Sequence, residues 1–135
     1  MTEPHPAVGT KVAQRRYVPT SHAHYAGNLV DGAYGLGLFG DVATELCIRS
    51  DGDEGLFASY SDVQFLAPVR AGDCIEVSAS LTKIGTRSRT MQFELRVVAR
   101  GRPELGQSAA AVLDEPVTAT TATGVVVVPP RRVAP

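Results

Sequence analysis

The sequence predicts an α+β domain in which a curved antiparallel sheet wraps one long, buried helix. Three observations predict this class. One segment carries apolar residues at helical spacing around most of its circumference, several later segments alternate apolar and polar residues, and the connections are only a few residues long. The 135 residues suffice for one domain. We expect a single domain over residues 1–135, with flexible tails at 1–9 and 129–135.

The first half of the chain predicts a strand followed by the helix. Residues 11–18 are expected to form the strand, although three consecutive polar residues weaken its alternation. Apolar residues recur at helical spacing from Asp31 to about Arg49, and residues 50–55 are typical of a turn after a helix. A sheet covers only one side of a helix that is apolar nearly all round, so the remaining apolar surface indicates a second subunit.

After the turn, the hydrophobic period changes from 3.6 to two. Strands are expected over 57–69, 74–84 and 91–97, and then in two short runs at 107–113 and 117–128. Because the connections are short, neighbouring strands should pair antiparallel as a meander.

Charge and composition exclude several functions. The formal net charge is −1, so nothing draws the whole protein to nucleic acid or to an anionic membrane. No apolar run approaches the roughly 20 residues that span a bilayer, and the first residues do not resemble a signal peptide. The two cysteines, Cys47 and Cys74, are therefore expected to be free thiols in the cytoplasm.

The loop before the helix holds an unusual variety of polar residues, which suggests a site. It contains His22, His24, Asn28 and Asp31. Asn28 or Asp31 can alternatively cap the helix, whose free N–H groups are also able to hold a developing oxyanion. The two histidines lack further ligands at zinc spacing, so we expect no metal.

Asp41 and Glu45 lie four residues apart and therefore on one face of the predicted helix. At a solvated end of the helix they would be unremarkable. If they are buried, mutual repulsion and desolvation raise at least one pKa, which provides an acid and a base for proton transfer.

A local cluster of basic residues surrounds the turn near residue 85. Its members are Lys83, Arg87, Arg89 and, farther along, Arg96. Such residues are either solvated strand ends or a binding site for phosphates, and the sequence favours neither interpretation.

The motif Val63-Gln64-Phe65-Leu66-Ala67-Pro68-Val69-x-Ala71-Gly72-Asp73 resembles the hotdog fold of acyl-CoA thioesterases, and the likeness extends over residues 10–128. The segments 24–33, 38–46 and 51–57 are similar to the 3-aminobutyryl-CoA ammonia-lyase (deaminase) family. Residues 109–116 and 122–124 also fit that family. Its members interconvert a β-aminoacyl-CoA, such as 3-aminobutyryl-CoA, with a 2-enoyl-CoA such as crotonyl-CoA and ammonia.

This resemblance implies roles for particular residues. The candidate catalytic residues are Asp41, Glu45 and His24. The candidate substrate-binding residues are Tyr25, Asn28, Asp31, Gly32 and Ala33. The candidate CoA-binding residues are Arg87, Ser88 and Arg89. No cofactor is expected beyond the coenzyme A of the substrate, and the resemblance implies a homodimer, or a higher oligomer of dimers, with active sites between subunits.

Two alternatives remain, an acyl-CoA thioesterase and a non-catalytic protein that binds acyl-CoA or an acyl carrier. When the loops are aligned on Gly27, His24 takes the place of the thioesterases' catalytic asparagine. Phe39 falls where their helix aspartate would stand, and Asp41 lies about 200° away around the helix. This departure counts against thioester hydrolysis.

Overall fold

A computed structural model describes residues 3–130 and contains one long helix packed against a five-stranded antiparallel sheet. The helix, α1, spans Gly32–Asp51. The strands are β1 Lys11–Tyr17, β2 Ala23–Tyr25, β3 Leu29–Val30, β4 Leu56–Phe65, β5 Cys74–Ile84, β6 Ser88–Gly101 and β7 Ala110–Val127. The large sheet has the order β1-β5-β6-β7-β4, while β2 and β3 pair separately in front of the helix.

The helix begins and ends within two residues of the predicted bounds. Asp31 precedes it with extended backbone, and Gly52 ends it in the left-handed conformation (φ 66°), where its N–H donates to the carbonyl of Ile48 at 3.0 Å. One side of α1 is buried against the sheet. The other side exposes a stripe of mostly small residues, namely Ala33, Gly37, Thr44 and Ile48.

The core lies between the buried side of α1 and the concave face of the sheet. Phe39 is fully buried and stacks on Phe93 of β6 at a ring-centroid distance of 5.1 Å. Alternate residues of β5 and β6 complete this core, because side chains of a strand point to opposite faces in turn. The strand predicted at 74–84 has the bounds of β5. The antiparallel meander is confirmed for β5, β6 and β7, but it is wrong for β4, which lies at the edge of the sheet and pairs with β7 instead of β5.

The strand predicted at 57–69 ends earlier, at Phe65. Its register against β7 shifts between Ser61 and Gln64, and Asp62 in that interval has a positive φ of 50°. The following residues turn toward the loop before the helix, where the N–H of Val30 donates to the carbonyl of Val69 at 2.9 Å. The backbone of this segment thus hydrogen-bonds first to β7 and then, after Phe65, to the loop before the helix.

The two runs predicted at 107–113 and 117–128 form the single strand β7 instead. Val117 pairs with Val97 and Val112 pairs with Ala99, so residues 113–116 bulge opposite a single residue of β6. The proline of this stretch, Pro116, lies in the bulge, where it removes no ladder hydrogen bond. The sequence pattern breaks at the bulge although the strand continues.

The predicted tails extend partly beyond the structure, because residues 1–2 and 131–135 lie outside the described residues. Within the described part, the N–H of Gly9 donates to the carbonyl of Leu81 at 2.8 Å, and the N–H of Val128, just before the second tail, donates to the carbonyl of Arg87 at 2.8 Å. Between residues 3 and 130, no helix has the length and apolar character needed to cross a membrane.

Candidate active site

A cavity of about 490 Å³ lies at the N-terminal end of α1. It is bounded by the loop before the helix, the first helical turns and the segment after β4, with Leu95 and Thr120 contributed by the sheet. Its other lining residues are Tyr25, Leu29, Val30, Asp31, Gly32, Tyr34, Gly35, Phe65, Leu66, Ala67, Pro68 and Val69. Three predicted substrate-binding residues therefore meet there, namely Tyr25, Asp31 and Gly32.

The loop that forms one wall has an unusual backbone. Gly27 and Asn28 both have positive φ angles, 73° and 61°, a conformation that glycine adopts freely and asparagine tolerates better than most residues. The carbonyl of Asn28 accepts a hydrogen bond from the N–H of Ala71 at 2.9 Å. Asn28 therefore fixes the loop through its backbone and lies beside the cavity lining rather than in it.

The N-terminus of α1 is open to the cavity. Asp31 occupies the N-cap position, but its side chain makes no capping hydrogen bond. The N–H groups of Gly32 and Ala33 belong to the first turn, which has no acceptors within the helix. A Cβ at Gly32 would overlap the ring of Phe65, so any larger residue here would displace that ring from the cavity wall.

The two loop histidines are exposed and make aromatic contacts. His22 lies against Tyr34 with ring centroids 4.2 Å apart, and His24 meets Tyr25 edge-on at 4.6 Å. Within residues 3–130, no three or more His, Cys, Asp or Glu side chains are grouped so that they could hold a metal ion.

Asp41 and Glu45 lie farther along the helix, on the face that meets β1. Asp41 is 56% exposed and forms an ion pair with Arg16 at 3.2 Å. Glu45, 32% exposed, accepts hydrogen bonds from Gln14 Nε2 and Arg49 Nε, both at 2.8 Å. These hydrogen bonds, first from Gln14 and then from Arg49, lower the pKa of Glu45. Burial acts in the opposite direction but is outweighed, so the pKa of Glu45 lies below its ordinary value and the carboxylate is ionised at neutral pH.

Tyr34 connects the cavity to these carboxylates. It lines the cavity, and it lies seven residues before Asp41 on the same helix face. Burial raises the pKa of Tyr34, while the charge of Arg16 opposes this effect and that of Asp41 reinforces it. Tyr34 is not among the candidate site residues that the sequence predicts, because it is one of many apolar or aromatic residues at helical spacing in this segment.

Gln14 and Arg16 were also missed as functional residues. The signal was present in the alternation of β1, because Val12 is buried toward the helix and residues two and four positions later share its face. Gln14 and Arg16 therefore lie on the side of β1 that faces the helix, where they can pair with Asp41 and Glu45, which are spaced one helical turn apart.

The predicted CoA-binding residues lie near the C-terminal end of α1. Arg89 is only 9% exposed, and its Nε and Nη2 bond both carboxylate oxygens of Asp51 at 2.9 and 2.8 Å. Its Nη1 donates to the carbonyls of Gly85 and Ser88, each at 2.9 Å. The guanidinium is thus engaged within the fold, whereas Arg87 beside it is exposed.

The other members of the basic cluster lie on different surfaces. Arg96 pairs with Glu76 at 2.6 Å on the outer face of the sheet, and Lys83 is exposed. The candidate residues consequently form three groups along α1, at its N-terminus, its middle and its C-terminus. A helix of 20 residues is about 30 Å long, so one protomer does not bring all three groups together.

The two cysteines are not bonded to each other. Cys47 is buried in the helix, where burial, followed by the negative charge of Asp51, raises the pKa of its thiol to about 11. Cys74 is partly buried at the start of β5.

A family model for the thioesterase superfamily matches residues 32–104. A 3-aminobutyryl-CoA ammonia lyase from Acetoanaerobium sticklandii is 56% identical over 107 residues, which are 79% of this chain and 85% of that protein. The solved structure of β-alanyl-CoA:ammonia lyase from Clostridium propionicum has a TM-score of 0.84 and 40% identity, covering 90% of this chain and 87% of the other.

A hexameric hotdog fold thioesterase of Campylobacter jejuni has a TM-score of 0.72 at 19% identity, covering 87% of this chain and 82% of the other. At that identity the likeness shows the fold alone. Together with the superfamily match, it confirms the hotdog fold that the motif around Pro68 and Gly72 predicts.

Proposed function

Because the chain belongs to the 3-aminobutyryl-CoA ammonia lyase family, within the thioesterase superfamily, we propose that it interconverts 3-aminobutyryl-CoA with crotonyl-CoA and ammonia. The observation that carries this proposal is the placement of acidic residues on α1. Phe39, which the alignment on Gly27 puts at the position of the thioesterase aspartate, is buried against Phe93, while Asp41 and Glu45 lie together on a different, partly exposed face.

Elimination of ammonia requires a base for the proton α to the thioester and a group that holds the departing ammonium. When the proton is removed, its electrons form the C=C bond and the C–N bond breaks. Asp41 and Glu45 are suited to these two tasks, because both are carboxylates and they are one helical turn apart. Either carboxylate can accept the proton while the other holds the ammonium.

The thioester oxygen, which gains negative charge during the reaction, needs hydrogen-bond donors. The first-turn N–H groups of Gly32 and Ala33 supply them at the positive end of the helix dipole, and His24 provides a further donor. The cavity receives the acyl group between Tyr25 and Asp31. Asp31 is the one carboxylate among the residues that line this cavity, and it can also attract the ammonium.

A homodimer, or a higher oligomer of dimers, would complete the site. The exposed stripe on α1 includes Ile48, which is an apolar side chain left in water by the isolated protomer. If a partner helix runs antiparallel, its second half, which carries Asp41, Glu45 and the C-terminal group, approaches the N-terminal cavity of the first protomer, so that the carboxylates of one protomer act on an acyl group held by the other. Arg87 and Ser88 would then contact the CoA phosphates, and Arg89 would hold the turn that carries them through its bonds to Gly85 and Ser88.

One incubation tests the proposal. The protein is mixed with crotonyl-CoA and ammonium, and the products are identified by mass spectrometry, with acryloyl-CoA as a parallel substrate. Formation of 3-aminobutyryl-CoA supports the proposal. Free CoA as the main product would indicate a thioesterase, and tight binding without turnover would indicate an acyl-CoA binding protein.

Two substitutions test the assigned carboxylates. Asp41→Asn and Glu45→Gln should each lower the amination rate by about 10²-fold or more, which is the usual size of acid–base catalysis, while the oligomer survives. Asp114→Asn and Glu115→Gln make the same chemical changes at exposed positions of β7 and should leave the rate unchanged. Full activity in both site variants would contradict the mechanism.

A further inference from the structure

Each carboxylate of the proposed site accepts a hydrogen bond from a different residue of β1. Gln14 Nε2 donates to Glu45 Oε1 at 2.8 Å, and Arg16 Nη2 donates to Asp41 Oδ2 at 3.2 Å. The same Arg16 nitrogen donates to Gln14 Oε1 at 2.8 Å. Hydrogen bonds therefore run without interruption from Asp41 through Arg16 and Gln14 to Glu45, and on to Arg49.

The chemistry of these groups fixes the orientation of the Gln14 amide. A guanidinium only donates hydrogen bonds and an ionised carboxylate only accepts them. An amide does both, so it can accept from Arg16 at its oxygen while it donates to Glu45 at its nitrogen. An aliphatic side chain of equal length would provide neither bond, and a carboxylate would repel Glu45.

We propose that Gln14, held by Arg16, is a positioning residue that fixes the ionised Glu45 carboxylate beside Asp41 for the lyase reaction. This inference rests on the proposed function. The reaction needs two carboxylates that address one substrate, and displacement of a catalytic group by about 1 Å can reduce the rate by about 10²-fold. The Gln14 amide restricts the long Glu45 side chain from the strand side, and Arg49 restricts it from its own helix.

The surroundings of Glu45 indicate what removal of the amide does. The charged and titratable groups near it are Arg16 on β1 together with Asp41 and Arg49 on α1. The strand β5, which also packs on this helix, contributes apolar side chains to the core there. Loss of the Gln14 hydrogen bond therefore leaves Glu45 with fewer donors, and its pKa should rise toward the ordinary value of a glutamic acid.

The test compares Gln14→Met with Gln92→Met. Gln92 is exposed on β6, where it accepts a hydrogen bond from Thr123, so the control makes the same change on another surface. In the deaminating direction, Gln14→Met should lower kcat by about 10- to 100-fold, with KM changed less than about threefold. The acid limb of the pH profile of kcat/KM should move to higher pH, because an ionised Glu45 is then lost sooner as the pH falls.

A second pair of variants addresses Arg16. Arg16→Gln removes the contacts to Gln14 and Asp41, whereas Arg15→Gln makes the same charge change on the opposite face of β1, where Arg15 pairs with Glu76. Of these two arginine variants, only Arg16→Gln should lower kcat. If Gln14→Met does not fold, Arg16→Gln alone decides the matter, and wild-type kcat together with a wild-type pH profile in this variant overturns the proposal.

A readout independent of activity separates this inference from the proposed function. The titration of Glu45 is followed by NMR of carboxyl-labelled protein. A higher Glu45 pKa in Gln14→Met, together with the loss of kcat, supports the positioning role. An unchanged Glu45 titration in the folded variant overturns it. A wild type that converts none of the CoA substrates refutes the proposed function, and with it the positioning role.

Discussion

Replacement of Arg89 by methionine separates two roles for this residue, a structural ion pair and a contact to CoA. The structure places its guanidinium in a bidentate pair with Asp51, and the two side chains are 9% and 10% exposed. Methionine keeps most of the side-chain length but leaves the carboxylate of Asp51 without its cation. Removal of one partner of a buried pair typically costs about 3–5 kcal/mol.

The neighbours of the pair adjust this magnitude. The Ser50 hydroxyl, whose single proton is shared between the carbonyl of Leu46 at 2.8 Å and Asp51 Oδ2 at 3.0 Å, stays beside the carboxylate and offsets a small part of the loss. The carbonyls of Gly85 and Ser88 lose their shared donor, which adds to it. We therefore expect Arg89→Met to lower the free energy of unfolding by about 3 kcal/mol, at the low end of the range for a broken buried pair.

Urea denaturation at one fixed protomer concentration measures this change, since the stability of an oligomer depends on concentration. Asp51→Asn and the double variant complete a mutant cycle, in which we expect a coupling of about 2 kcal/mol. Arg87→Met, at the exposed neighbouring arginine, is the matched control and should leave the unfolding free energy nearly unchanged. A loss below about 1 kcal/mol for Arg89→Met, combined with a tenfold higher KM for crotonyl-CoA, would refute the structural role and support the CoA contact.

Two further predictions concern pH and packing. The pKa of Glu45 is lower in the folded state than in the unfolded state. The ionised carboxylate therefore stabilises the fold at pH values above its unfolded pKa, and this contribution is lost as the pH falls through the folded pKa. The difference in unfolding free energy between wild type and Glu45→Gln, measured by urea denaturation, should shrink between pH 7 and pH 3. A Cβ at Gly124 would stand 2.6 Å from the rings of Phe57 and Phe93, so Gly124→Ala should destabilise the fold by about 1–3 kcal/mol. Gly101→Ala, whose Cβ would come no nearer than 4.0 Å to the carbonyl oxygen of Ala109, is the control in the same assay; equal effects of the two changes would contradict the packing argument.

The elements that could be predicted from the sequence are those whose spacing of apolar residues reflects burial of the same face along the whole element. The strand at 74–84 alternates because one face is buried along its whole length, and the bounds of β5 match the prediction. The pattern at 113–116 breaks because a bulge there turns the side chains of β7 out of register, so one strand was predicted as two. Register shifts of this kind depend on the neighbouring strand, which the sequence of a single segment does not report.

The same distinction holds for the site. The loop at 21–32 and the pair Asp41 and Glu45 are visible as local clusters of polar residues. The β1 side chains that donate hydrogen bonds to the two carboxylates lie 25 to 31 residues away in the chain, and the partner of Arg89 lies 38 residues away. Sequence spacing alone does not pair such residues. The sequence therefore does not distinguish an arginine that forms a buried ion pair with an aspartate, as Arg89 does, from an arginine that binds a phosphate group.

The burial of Cys47 has a consequence for an enzyme of this proposed chemistry. A 2-enoyl thioester is an electrophile, and thiolates add to it readily, whereas protonated thiols do so poorly. With a pKa of about 11, the Cys47 thiol is ionised in only about one molecule in 10⁴ at pH 7, and the core also denies access to its sulfur. The helix that carries the proposed catalytic carboxylates thus keeps its own nucleophile protected from the product that those carboxylates release.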